Sequence, residues 1–177
     1  YENPVDEEIE SVESSIYRTL ANIYRGSEDF EKALSYIKIA DEVSPNDINI
    51  ILDMAGIYWS LNMREKYEEL VKAALLINPN DDNLLCNLAI LSLERKDFEK
   101  AFKYAAEALE IDEKNVRANR IAGDIILTPA DIMLDKMNLI AESAKSNADW
   151  GRYDKLKIER GNIMKKAIPY YLSAYQY

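Results

Sequence analysis

Histidine is absent from the 177 residues, and that gap removes more chemistry than any other. Without imidazole the chain lacks the commonest general base, the usual zinc ligand and every Ser-His or Cys-His nucleophile. Cys86 is the only cysteine, so no intrachain disulfide can form. Gly26, Gly56, Gly123, Gly151 and Gly161 are isolated, so there is no Gly-rich phosphate loop. Five glycines and five prolines predict few long loops. No apolar run reaches transmembrane length and no signal peptide is visible. Bases are outnumbered, 22 Lys plus Arg against 32 Asp plus Glu, for a net charge of -10. A phosphate backbone or an anionic membrane repels such a surface, so nucleic acid and membrane insertion are not expected. With acids this abundant, no single acidic pair marks a site. No enzyme activity, cofactor or metal is expected.

A 34-residue ruler is present instead. Ala21, Ala55, Ala89 and Gly123 lie on it, and Ala40, Ala74 and Ala108 keep the same spacing. A fixed period of this length implies stacked helix pairs, each burying its face against a neighbour. Repeats then run over 14–47, 48–81 and 82–115, with a fourth from Val116. The first-helix stripe reads Tyr17, Leu20, Ala21, Tyr24, then Ile51, Met54, Ala55, Tyr58, then Leu85, Leu88, Ala89, with Ser92 in place of an aromatic. Asn119, Ala122, Gly123 and Ile126 follow in the fourth unit. Steps of three, one and three residues keep each set on one side of a helix. Second helices carry Ala33, Ile37, Ala40, then Tyr67, Val71, Ala74, then Ala101, Ala105, Ala108. Pro45 and Pro79 stop helices, and Asp47, Asp81 and Asn115 are placed to cap the next ones. Glu68 with Lys72, and Glu99 with Lys103, have the spacing of surface ion pairs. Asn3-Pro4 followed by acids reads as a helix start, either of a first helix longer than a repeat requires or of the remnant of a preceding unit.

This pattern of Tyr/Leu, Leu-Ala, Tyr, then Ala, apolar, Ala, Pro resembles the tetratricopeptide repeat. The resemblance implies an all-α fold: antiparallel helix pairs in a right-handed superhelix (an α–α solenoid), forming a single domain over 1–177, with the first helices on the concave side. It also implies a binding scaffold. The fourth repeat departs from the pattern. Thr128-Pro129 reads as a fresh helix start, with Thr128 as cap, running to near Ser146 before a break around 147–151. Ala167, Tyr171 and Ala174 have second-helix spacing, and Pro169 should kink a helix through it. The fourth repeat is therefore read as split, 116–127 plus 155–177, around a helical insertion of about 128–154. A split repeat ending in Lys-Ala-x-Pro-Tyr resembles tetratricopeptide proteins of Bacteroidetes-type bacteria.

The register places Arg18, Asn22, Arg25, Asn49, Asp53, Trp59, Asn83, Cys86, Asn87, Arg117, Arg120 and Asp124 on the inward side. Asn49 with Asn83, and Asp53 with Asn87, lie one repeat apart. Amides in such a ladder suit the backbone of an extended peptide. Arg18 and Arg25 at one end and Arg117 and Arg120 at the other suit a carboxylate, and Arg120 with Asp124 has ion-pair spacing. The groove set is Arg18, Asn22, Asn49, Asp53, Asn83, Asn87, Arg117 and Arg120. The expected partner is a protein or peptide, with an acidic or C-terminal carboxylate group as one form. Family members that clamp acidic chaperone tails carry an Asn where Asp53 stands and two bases where Asn83 and Asn87 stand, so that specificity is not expected. The alternative is a structural role, with the insertion as a subunit contact or a groove-filling cap. The chain begins at Tyr1 without Met and ends at Tyr177 inside an apparent helix, which reads as a processed or excised segment. A bacterial cell envelope is preferred to the cytoplasm.

Overall fold

A computed structural model describes residues 4–176, with side chains from Ser11 onward; Asn3, expected at the first helix start, lies outside the described residues. The described residues form eight helices and no strand. They are α1 (Pro4–Gly26), α2 (Phe30–Val43), α3 (Ile48–Ser60), α4 (Arg64–Ile77), α5 (Asp82–Glu94), α6 (Phe98–Ile111), α7 (Val116–Ser143) and α8 (Asn147–Tyr175). The fold is an all-α helical repeat. The chain divides into two compact units, Tyr1–Leu84 and Leu85–Tyr177, with the division inside α5.

The helices start where capping side chains stand. Asp47 accepts from the Asn49 amide at 2.8 Å, Asp81 from Leu84 at 3.1 Å, and Asn115 from Ala118 at 2.8 Å. Each satisfies an amide that the helix itself leaves without an acceptor. Within the pairs, Asp29 caps α2 and Asp97 caps α6. Met63 occupies the equivalent place before α4 and supplies no side-chain bond. Just ahead of these caps, Glu28, Asn62 and Lys96 take the left-handed conformation, with φ of 62°, 59° and 59°. The 34-residue ruler therefore governs backbone conformation as well as packing.

In the first unit, Ala21 of α1 and Ala33, Ile37 and Ala40 of α2 meet Ile50, Met54 and Ile57 of α3 in one core. Alanines at the crossing points let the backbones approach closely. Tyr36 lies stacked with Tyr24, ring centroids 5.3 Å apart, and with Tyr17 at 6.3 Å. Glu68 and Lys72 pair at 2.6 Å on α4 as the spacing predicts. On α6, Lys103 instead reaches forward to Glu107, at 3.7 Å.

In the second unit, α6 packs against α7, and α7 runs along α8. Two expectations are corrected here. First, α7 continues through Pro129 as one helix to Ser143. Thr128 is not a cap; its hydroxyl donates back to the Asp124 carbonyl at 3.1 Å, as Thr does inside a helix. Beside the proline, Ala130 is buried and its carbonyl accepts from the Arg160 side chain of α8 at 3.2 Å, so packing along α8 holds the helix together past the missing bond. Second, the break lies at 144–146, earlier than 147–151. Ser146 and Asp149 form a reciprocal capping box that starts α8 at Asn147. Helix α8 likewise runs through Pro169.

Gly123 holds the fourth ruler position because a side chain there would collide. A Cβ would lie 2.9 Å from the Tyr171 ring. Replacing Gly123 by Ala is expected to destabilise the protein by about 1–3 kcal/mol, as overpacking does, despite the better helix propensity of Ala; chemical denaturation measures it. Met63→Asp is expected to stabilise by about 1 kcal/mol by supplying the missing cap, read as a higher denaturation midpoint with an unchanged slope.

Candidate functional site: the polar faces of the first helices

In the first unit, successive turns of α1 place Arg18, Asn22 and Arg25 beside α3. Arg18 Nε lies 2.5 Å from Asp53 Oδ2, and Asn22 Nδ2 donates to the same oxygen at 2.8 Å. A carboxylate only accepts, so the Asn22 amide must present its nitrogen to Asp53 and turn its oxygen away. That oxygen, Oδ1, is buried and has no hydrogen-bond partner. One turn further, the Arg25 guanidinium crosses α3 at Gly56, where a Cβ would come within 2.5 Å of Nη1. Gly56 is a site residue that the periodicity hides, since nothing in the spacing marks it as the floor under Arg25.

Trp59 takes no part in this cluster. Its ring packs on Tyr67 at 4.8 Å between centroids and carries the Arg64 guanidinium at 3.7 Å from its centroid. Asn49 and Asn83 turn back toward helix starts: Asn49 Nδ2 donates to Asp47 at 3.1 Å and Asn83 Nδ2 to Asp82 at 3.2 Å. Both sit in the first turn of a helix, Asn49 beside the capping carboxylate and Asn83 beside the carboxylate of the helix's first residue.

In the second unit, Arg117 Nη2 donates to Asn87 Oδ1 at 2.7 Å. Arg120, one turn along α7, is exposed. Its expected pairing with Asp124 does not form, because Asp124 Oδ1 accepts from the Tyr171 hydroxyl at 2.5 Å. Cys86 does not face an open surface. It is fully buried, its Sγ 3.6 Å from Asn115 Oδ1. Asn115 precedes α7, and the thiol packs under that cap. Ser92 is buried too, its hydroxyl donating to the Leu88 carbonyl at 2.8 Å, which explains a small polar residue where an aromatic was expected. Further along, α7 and α8 border an open groove of about 510 Å³ lined by Leu139, Ile140 and Leu156 and bordered by Lys136, Arg152, Lys155 and Glu159. Among the described residues no cluster of His, Cys, Asp or Glu could hold a metal ion, and no helix is long and apolar enough to cross a membrane.

The family model of the tetratricopeptide repeat matches residues 83–115. A tetratricopeptide repeat protein from Parabacteroides merdae superposes with a TM-score of 0.62 at 21% identity, over 89% of this chain and 62% of that one. One stretch of the chain, 83–115, is thus a tetratricopeptide repeat by sequence, and the rest shares the fold. The MamA protein superposes with a TM-score of 0.60 at 13% identity, over 92% of this chain and 90% of that one. The first tetratricopeptide repeat domain of Spaghetti (RPAP3), solved bound to the HSP90 peptide SRMEEVD, gives 0.57 at 16% identity, over 65% and 91%. At these identities the likeness is one of fold. Among curated proteins none matches the sequence significantly.

The Tyr171–Asp124 contact gives this repeat protein a pH signature. Burial of the ring, then the bond to the Asp124 carboxylate, push the Tyr171 hydroxyl above the ordinary tyrosine value. A raised folded-state value means that the stabilisation is fully present below about pH 10 and is lost as pH rises through the raised value. Tyr171→Phe is expected to cost about 1 kcal/mol at neutral pH. The gap to the parent should close as the parent's tyrosine ionises in strong alkali. Denaturant unfolding across neutral to alkaline pH reads this, and a constant gap would contradict it.

Proposed function

We propose that this protein is a non-enzymatic interaction scaffold that binds extended peptide segments along the polar faces of its first helices. We read its repeats as 14–47, 48–81, 82–115 and a fourth built from the start of α7 and the end of α8; the close seat of Tyr171 against Gly123 supports that last pairing. The carrying observation is the Arg18–Asp53–Asn22 cluster with its buried, unpartnered amide oxygen. A buried polar atom without a partner costs about 1–3 kcal/mol. A ligand backbone N–H that reaches this oxygen removes that cost.

The two units differ in the charge they offer. In the first, Asp53 already neutralises Arg18, and the anionic tail that would otherwise seek Arg18 meets a carboxylate. This departs from the arrangement expected for binding a peptide as acidic as the SRMEEVD held by the Spaghetti domain. In the second, Arg117 is held only by a neutral amide and Arg120 is exposed. The second unit is therefore the better seat for a carboxylate, and the first for a neutral backbone stretch.

Peptides selected from a displayed random library against the whole chain supply a ligand. Asn22→Ala is expected to weaken a selected peptide by about 1–2 kcal/mol, the scale of one hydrogen bond and its orphaned partner. Arg120→Ala should weaken only peptides that carry a carboxylate, and more so at low salt. Isothermal titration measures both. Selected peptides whose affinity is indifferent to Asn22, Asp53, Asn87, Arg117 and Arg120 alike would refute the assignment.

A further inference from the structure

Toward its turn, the α7–α8 hairpin leaves the 34-residue period, and α8 packs on α7 and on no other described element. The groove between the two helices there is open, with Leu139, Ile140 and Leu156 as its floor. Leu139 is 65% exposed. Ile132, 52% exposed, lies two turns earlier on the same side of α7 and continues the stripe. Contiguous exposed apolar surface of this kind marks an interaction site. A chain that continues past Tyr177 leaves α8 at its other end. From Tyr175 back to Leu156 is about 28 Å of helix at 1.5 Å per residue. A helix of repeat length, 13 or 14 residues, spans about 20 Å, so one returning along α8 from that end stops short of the groove. A repeat ahead of Tyr1 would adjoin α1, in the first unit.

Charge and shape indicate what fits. Over residues 131–160 acids and bases balance, six against six. The groove draws three of those bases, Lys136, Arg152 and Lys155, and one of those acids, Glu159. The bases come from both sides, Lys136 from α7 and the other two from α8. The ammonium groups of Lys136 and Lys155 have no partner among the described residues. Arg152 reaches only Asp149, at 3.9 Å, and that carboxylate is already engaged by Ser146. The rim is thus locally basic in a chain of net charge -10, and repulsion from the remaining acids is screened beyond about 8 Å at physiological salt. The floor is made of hydrocarbon side chains. An extended peptide laid on it would bury backbone N–H and C=O groups unpaired, whereas a helix satisfies its own. A trough between two antiparallel helices is a natural seat for a third.

We propose that this groove receives an amphipathic helix of a partner protein. The partner's apolar stripe lies on Leu139, Ile140 and Leu156, and its flanking acids meet Lys136, Arg152 and Lys155. The hairpin becomes a three-helix bundle toward its turn. Apolar burial supplies the attraction, and the basic rim selects acidic flanks over basic ones. The site shares no residue with the polar faces of the first helices.

Two synthetic stapled helices, each about five turns long, test this on the whole chain. Both carry Leu at i, i+4, i+7 and i+11; one flanks the leucines with Glu, the other with Lys. NMR titration reads affinity and place together. The Glu-flanked helix is expected to bind about tenfold more tightly than the Lys-flanked one and to shift the amides of Leu139, Ile140 and Leu156. Lys136→Glu/Lys155→Glu should reverse that preference. Arg152→Glu, a single exposed position, should narrow it and carries the charge test if the double variant loses helicity. Leu139→Ser should weaken both helices with unchanged circular dichroism. Failure of either helix to bind, equal binding of the two, a preference that survives charge reversal, or shifts confined to the first helices would overturn the proposal. Dodecanoate that shifts the groove amides when neither helix does would give the groove to a small amphiphile instead. Self-association of the chain in sedimentation velocity that Leu139→Ser abolishes would give it to a second copy.

Discussion

Close approach of helix backbones at small residues is the constraint on which the rest of this structure depends. Ala21, Ala55 and Ala89, and likewise Ala40, Ala74 and Ala108, are all but fully buried. At each of these places a larger side chain would push two helices apart and open the core beside it. Gly123 carries the constraint to its limit, because the ring of Tyr171 occupies the space where even a methyl group would stand. Everything polar on the first helices is positioned secondhand. Arg18 and Asn22 reach Asp53 because α1 and α3 are held near enough for one carboxylate oxygen to serve both.

That dependence explains what could be read in advance. Small residues and caps recur in sequence because backbone spacing and helix starts recur, so the helix pairs, the Asp47, Asp81 and Asn115 caps and the long first helix were legible. Side-chain pairings on a helix surface were less so, because several partners compete at similar distance. Asp124 had Arg120 one turn away and instead met Tyr171, 47 residues on. Asn49 and Asn83 had an open face available and turned to nearby carboxylates at the helix starts, Asp47 and Asp82. Cys86 was read as inward from its register alone, yet the loop ahead of α7 covers it, and loop paths carry no period. Pro129 misled for a related reason. Proline is a stop signal in isolation, but a helix packed along its length can lose one backbone bond and continue.

The acidic balance of the chain also takes on a structural sense. Its carboxylates do not form one undifferentiated surface. Asp29 and Asp97 serve as caps for α2 and α6, and the bonds from Lys32 and Lys100 hold both below the ordinary carboxylate value. Asp53 is spent inside the first unit, on Arg18 and Asn22. By sequence, residues 1–50 hold 12 acids and 4 bases, and residues 151–177 hold 2 acids and 6 bases. An acidic protein built this way has polarity along its chain, which its net charge conceals.

The long hairpin of α7 and α8 has a consequence of its own. These helices have 28 and 29 residues, against 13 or 14 in each of the helices from α2 to α6. At 1.5 Å per residue the hairpin exceeds its neighbours by about 20 Å. Beyond the reach of α6, each arm has only the other arm to lean on, and the Pro129 gap lies near where that stretch begins. Local opening there disturbs few contacts elsewhere, so the tip can unzip and reclose while the base stays folded. The tip of the hairpin is thus the stretch whose amides are expected to exchange with solvent faster than those of the repeats that bear it.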